Sequence, residues 1–165
     1  MVLALAGLLT ACGTVDRYGA AGDVHALMIA IRDDDHAAFD AKVDRRAIEA
    51  RLQVAMIERA KAAHLSPGLT LLGAWLSGPA SQLAGDVLVQ PSVFRDVAYY
   101  YGYRPDMPIP DRLTLAAALS GLPDGRVCAT AGRQGPCLMT FANERGVWRL
   151  VDFNAAANLT GGSRR

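Results

Sequence analysis

Three groups of residues in this chain combine side chains and spacing suited to chemistry. The first, Asp33-Asp34-Asp35-His36, sets three carboxylates beside an imidazole. Consecutive residues cannot all face one ion, and no spaced ligand set accompanies them. The run therefore reads as a turn whose aspartates cap the next helix. The second, Tyr99-Tyr100-Tyr101-Gly102-Tyr103-Arg104, is the densest concentration of large polar-tipped side chains. Two roles are open to Tyr99, Tyr100, Tyr103 and Arg104. They form either a ligand or partner surface, with an arginine to meet an anion, or amphipathic packing with rings buried and hydroxyls wet. The third is Cys128 and Cys137, separated by a loop that holds Gly132, Gly135 and Pro136 and can reverse direction. Opposed cysteines on adjacent antiparallel strands sit at about 4.5–5.5 Å between Cα atoms, inside disulfide range. Without histidines at ligand spacing they make a poor zinc site, and a redox pair is normally separated by two residues. A structural bridge is expected.

Other catalytic patterns are missing from the sequence. His25, His36 and His64 have no ligand spacing between them, and Ser66, Ser77, Ser81 and Ser92 stand outside any G-x-S-x-G elbow. No phosphate-cradling glycine loop occurs. The expectation is no catalytic residue, no metal and no cofactor. Seventeen Lys and Arg against 16 Asp and Glu leave a formal charge of +1, with no basic block. That excludes an electrostatic nucleic-acid footprint.

The first residues bear on location. Met1 to Ala11 is an unbroken apolar run, too short to cross a hydrocarbon layer of about 30 Å but of the length of a signal-peptide core. Leu9-Thr10-Ala11-Cys12-Gly13 resembles the lipobox of bacterial lipoproteins. The resemblance implies removal of residues 1–11 and acylation of Cys12, which becomes the N-terminus. No Lys or Arg precedes the run, as expected if the true start lies further upstream. Gly13, rather than Asp, fits onward sorting to the outer membrane. With Cys12 assigned to the anchor, Cys128 and Cys137 remain as a pair, which suits an oxidising compartment. Thr14 to Gly22 reads as a tether, so residues 12–22 form a lipidated linker to a domain over 23–154, and 155–165 a flexible tail.

The elements that position these residues follow from periodicity. The chain has the length of one domain, and 52% hydrophobic with only 7% aromatic residues favours helices. Asp23 is the expected N-cap of a helix to Arg32, with Val24, Leu27, Met28 and Ile31 on one face. A short helix carries Phe39. Asp44 then caps a helix to about His64, with Val43 and Ile48 at the spacing of a hydrophobic staple. Ile48, Leu52, Ala55 and Met56 form one stripe of it, and Val54 and Ile57 a second, implying burial on more than one side. Further helices are expected over Leu69 to Leu76, from Gly78 toward Val89, and from Pro91 to Tyr101. Asp111 caps a last helix from Arg112 to Ser120, and Pro123-Asp124-Gly125 turns into a sheet.

That sheet is expected to be a three-stranded antiparallel meander over Arg126 to Phe153, the only stretch with period-two patterning. If Asn143 faces Gly146, then Phe141 faces Trp148, Met139 faces Leu150 and Cys137 faces Asp152. Phe141, Met139, Trp148 and Leu150 then share the face that packs on helices.

Asp35 to Leu52, reading DHAAFDAKVDRRAIEARL, resembles the core signature of the bacterial family termed domain of unknown function 2939. The Leu71-Leu72-Gly73 segment, the helix near Pro91 and the Trp148-Arg149-Leu150 strand fit the same pattern. The resemblance spans roughly Asp23 to Phe153. It implies an envelope-associated protein and supplies no catalytic residue.

The resulting expectation is an α+β fold, with about five or six short helices on a C-terminal meander. Functionally it is a cell-envelope lipoprotein facing the periplasm, held to the membrane by Cys12 and binding an envelope protein or small ligand. The alternative is a small enzyme or carrier with a cleft between helices and sheet, as in nuclear-transport-factor-2-like cones.

Overall fold

The sheet is a continuous antiparallel meander whose helical cover is drawn from the preceding two-thirds of the chain. The computed structural model describes residues 6–62, 89–100, 103–130 and 135–153. Within these, α1 (Ala6–Asp33), α2 (His36–Lys42), α3 (Arg45–Ala62), α4 (Pro91–Tyr100) and α5 (Arg112–Ala118) precede β1 (Leu119–Gly121), β2 (Val127–Thr130), β3 (Cys137–Glu144) and β4 (Val147–Phe153). The strands lie in sequence order. The fold is α+β, helices first, with four strands rather than three. The helices expected over Leu69 to Leu76 and from Gly78 toward Val89, and the tail over 155–165, lie outside the described residues.

α1 is the spine. Ala20, Ala21, Val24, Leu27 and Ala30 are buried along one stripe, spaced three and four residues apart. The tether expected over residues 12–22 is instead helix, continuous with the domain's first element. Its glycines serve close approach rather than slack. A Cβ on Gly19 would lie 3.3 Å from the Trp148 indole nitrogen, and one on Gly22 would lie 2.9 Å from the Arg112 guanidinium. Asp23 is likewise no N-cap but an interior residue of α1.

Asp34 and Asp35 form the expected turn, directly after Asp33 ends α1. Asp34 takes a left-handed φ of 57°, which Asp tolerates better than most residues. Asp35 caps α2 by accepting from the Ala38 N–H at 3.0 Å. Asp44 caps α3 through the Ala47 N–H at 3.1 Å, and Val43 and Ile48 are both buried. Val43 also bridges Leu150 in parallel, and the Asp44 N–H donates to the Leu150 carbonyl at 3.0 Å. The double-sided burial expected of α3 fails at Val54, which is 48% exposed. It lies about 240° round the helix from Ile48, pointing away from the sheet.

α4 starts at buried Pro91 and sends Phe94 between Phe39 and Phe153, with ring centroids at 5.3 and 6.2 Å in edge-to-face contact. α5, capped by Asp111 through the Thr114 N–H, stops at Ala118, two residues earlier than expected. Leu119 turns extended (φ −94°, ψ 143°) and pairs with Ala129, which creates β1.

The β3–β4 register also differs from expectation. Arg145 (φ 55°) and Gly146 (φ 89°) form a two-residue loop, so Glu144 pairs with Val147. Phe141 consequently faces Leu150, Asn143 faces Trp148, and a bulge brings Met139 opposite Phe153. On the hairpin side of the bulge the shift equals two residues on one strand, so Phe141, Trp148 and Leu150 keep their face. Phe141, Trp148 and Leu150 are buried against the helices, with Met139 and Phe153 packed beside them.

Candidate functional site

Cys128 and Cys137 are joined, with Cα atoms 5.7 Å apart. They are not directly opposed: Cys128 pairs with Thr140 and Cys137 with Thr130 across a register shift between Ala129 and Thr130. The bridge is a diagonal staple between β2 and β3. Asp152 accordingly faces Thr140, not Cys137, and receives a hydrogen bond from Arg51 Nε at 2.9 Å.

The tyrosine cluster sits at the end of α4. The Tyr99 and Tyr103 rings stack with centroids at 6.2 Å and planes at 12°. Arg104 folds back and donates from Nη1 to the carbonyls of Tyr103 (2.8 Å) and Tyr99 (3.3 Å). A cation set on the last carbonyls of a helix satisfies orphan acceptors and complements the dipole. Here the guanidinium sits on the Tyr99 carbonyl at the helix end and on the Tyr103 carbonyl just beyond it. The Tyr103 hydroxyl is buried with no hydrogen-bond partner among the described residues. Tyr100 belongs to α4, and its side chain lies outside the described set, as does that of Cys12 in α1.

A second cluster was not visible in the sequence. The Val43–Leu150 bridge brings the α2–α3 link against the β3–β4 hairpin. Two adjoining open grooves of about 440 and 450 Å³ result, lined by Asp40, Asp44, Arg45, Arg46, Glu144, Arg145 and Arg149. Arg45 is committed to Asp40 at 2.6 Å. Arg149 is loosely held, with Nη1 at 3.5 Å from Glu144, and its buried Nε has no partner. Arg46 and Arg145 make no ion pair with a described residue. The grooves can therefore receive an anion. The basic residues come from segments far apart in sequence, so no composition signal announces them.

Asp23 ties the groove region to α1. One carboxylate oxygen accepts from Lys42 Nζ at 2.6 Å and the other from the Trp148 N–H at 2.7 Å. Elsewhere, exposed acids are held below the ordinary carboxylate range by donors: Asp111 by the Thr114 N–H, and Asp124 and Asp33 by the neighbouring Arg126 and Arg32. No group of three or more His, Cys, Asp or Glu suited to a metal occurs among the described residues. No helix among them is long and apolar enough to cross a membrane.

No protein-family model, curated protein or solved structure matches this chain.

Proposed function

We propose that this chain is a non-catalytic binding or structural accessory protein of the bacterial cell envelope, anchored by acyl chains on Cys12 and facing the periplasm, with the outer membrane favoured. The observation that carries the reading is the Cys128–Cys137 bridge. Disulfides persist in oxidising compartments and are rare in the cytosol. The lipobox-like Leu9 to Cys12 supplies an anchor consistent with that address. The resemblance of Asp35 to Leu52 to domain of unknown function 2939 is kept as part of this proposal and contributes no functional residue.

A binding role is preferred to a cleft enzyme or carrier because the space between helices and sheet is occupied. Phe39, Ile48, Val127, Phe141, Trp148 and Leu150 fill it, each less than 5% exposed. Among the described residues, open, charged grooves at the hairpin offer a surface to a partner. Cell fractionation combined with thiol alkylation tests the assignment. The protein should partition with membranes and take up alkylating reagent at Cys128 and Cys137 only after reduction. Soluble cytosolic protein with both thiols reactive would defeat it.

A further inference from the structure

The end of the domain nearest Cys12 has a surface chemistry of its own. α1 runs without a break from Cys12 to Ala20, the first fully buried residue among those described, a rise of about 12 Å. If Cys12 is acylated, as the proposed function holds, the packed body cannot stand further from the bilayer than that stretch of helix allows.

Three segments reach α1 at this level. The Trp148 N–H bonds to Asp23 and its indole abuts Gly19, so the Arg145–Gly146 turn just before it lies at the anchor end. Lys42 also meets Asp23, which brings the α2–α3 link alongside. The Arg112 guanidinium stands 4.6 Å over the Tyr18 ring and donates to the Tyr18 carbonyl, which sets the start of α5 there.

These segments expose an interfacial set of side chains. Tyr18 is 46% and Leu113 70% exposed. Arg46 and Arg145 lack ion pairs among the described residues, whereas Arg149 is paired with Glu144 at 3.5 Å and its Nε is buried. Of the nearby acids, Asp40 is paired with Arg45 and Glu144 with Arg149, Asp44 and Asp111 cap helices, and Asp16 is exposed on α1. Aromatic and arginine side chains with an exposed leucine are the composition that settles at headgroup depth. Unspent basic residues beside an anchor are drawn to anionic lipid.

We propose that this end of the domain rests on the phospholipid headgroup layer, with Arg46 and Arg145 taking lipid phosphates and Tyr18 and Leu113 entering the interface beside Arg112. The inference rests on acylation of Cys12, so the test reads the two separately. Protein purified from membranes is first weighed to confirm its acyl chains. It is then placed in vesicles of phosphatidylcholine with phosphatidylglycerol. An environment-sensitive dye on Leu113→Cys should shift to the blue and be shielded from an aqueous quencher. The same dye on Val97→Cys, an exposed site on α4, should report water. Arg46→Gln and Arg145→Gln should each lower the docked-to-undocked ratio about fivefold. Acylated protein whose dye at position 113 behaves as it does at 97 overturns the docking. A mass without acyl chains overturns the anchor itself, and the docking with it.

Discussion

Replacing Asp23 by Ala should be among the most damaging single changes to this protein that leave its apolar core intact. The carboxylate joins three elements: its own helix α1, the end of α2 through Lys42, and the first residues of β4 through the Trp148 N–H. Removing it strands a part-buried backbone donor, at a cost of about 1–3 kcal/mol. The Lys42 pair is about one-fifth exposed on each side, so its loss adds only about 0.5–1 kcal/mol once solvent screening is allowed for. The expected total is about 1.5–4 kcal/mol, or a fall in Tm of roughly 10 °C for a body of this size. Asp23→Asn keeps an oxygen for Trp148 and should cost only about 1 kcal/mol. Non-reducing urea denaturation followed by tryptophan fluorescence measures both variants. If Asp23→Ala lies within about 0.5 kcal/mol of the parent, or matches Asp23→Asn, the three-way junction is not holding these elements.

Other expectations follow from single features. Replacing Cys128 and Cys137 together by serine should cost about 2–3 kcal/mol, read as a lower urea midpoint, because the bridge closes a short loop. Gly19→Leu should displace the Trp148 indole and destabilise by about 1–3 kcal/mol, with red-shifted tryptophan emission. Gly146→Ala, at a φ of 89°, should cost about 1 kcal/mol or more by the same denaturation assay. Asp33, Asp111 and Asp124 have folded values below the unfolded carboxylate value of 3.8. Their stabilisation is complete above that pH and is lost as pH falls through the folded values. Denaturation midpoints should therefore drop on acidification below about pH 4, and Asp111→Asn should flatten part of the drop.

Local signals carried much of this architecture. Asp35, Asp44 and Asp111 sit where short acceptors meet apolar periodicity, and each caps the helix it precedes. Pro91 opens α4, and alternation placed Phe141, Trp148 and Leu150 on the buried face. The readings that failed depended on tertiary contact. Thr14 to Gly22 reads as a tether, yet Gly19 and Gly22 are needed where Trp148 and Arg112 crowd α1. Leu119-Ser120-Gly121 is too short to show a strand period and becomes β1 only by pairing with β2. The hairpin register turned on Arg145 adopting a left-handed backbone, which its residue type does not advertise. The arginine grooves depend on the Val43–Leu150 bridge, which no local pattern encodes.

The claim most exposed to test is that a helix rooted in the core carries a lipid at Cys12. Mass spectrometry of the N-terminal peptide from the membrane-bound protein examines it directly. The account predicts a peptide that begins at Cys12 and carries acyl chains. An unmodified Cys12 within a chain that still contains residues 1–11 would contradict it.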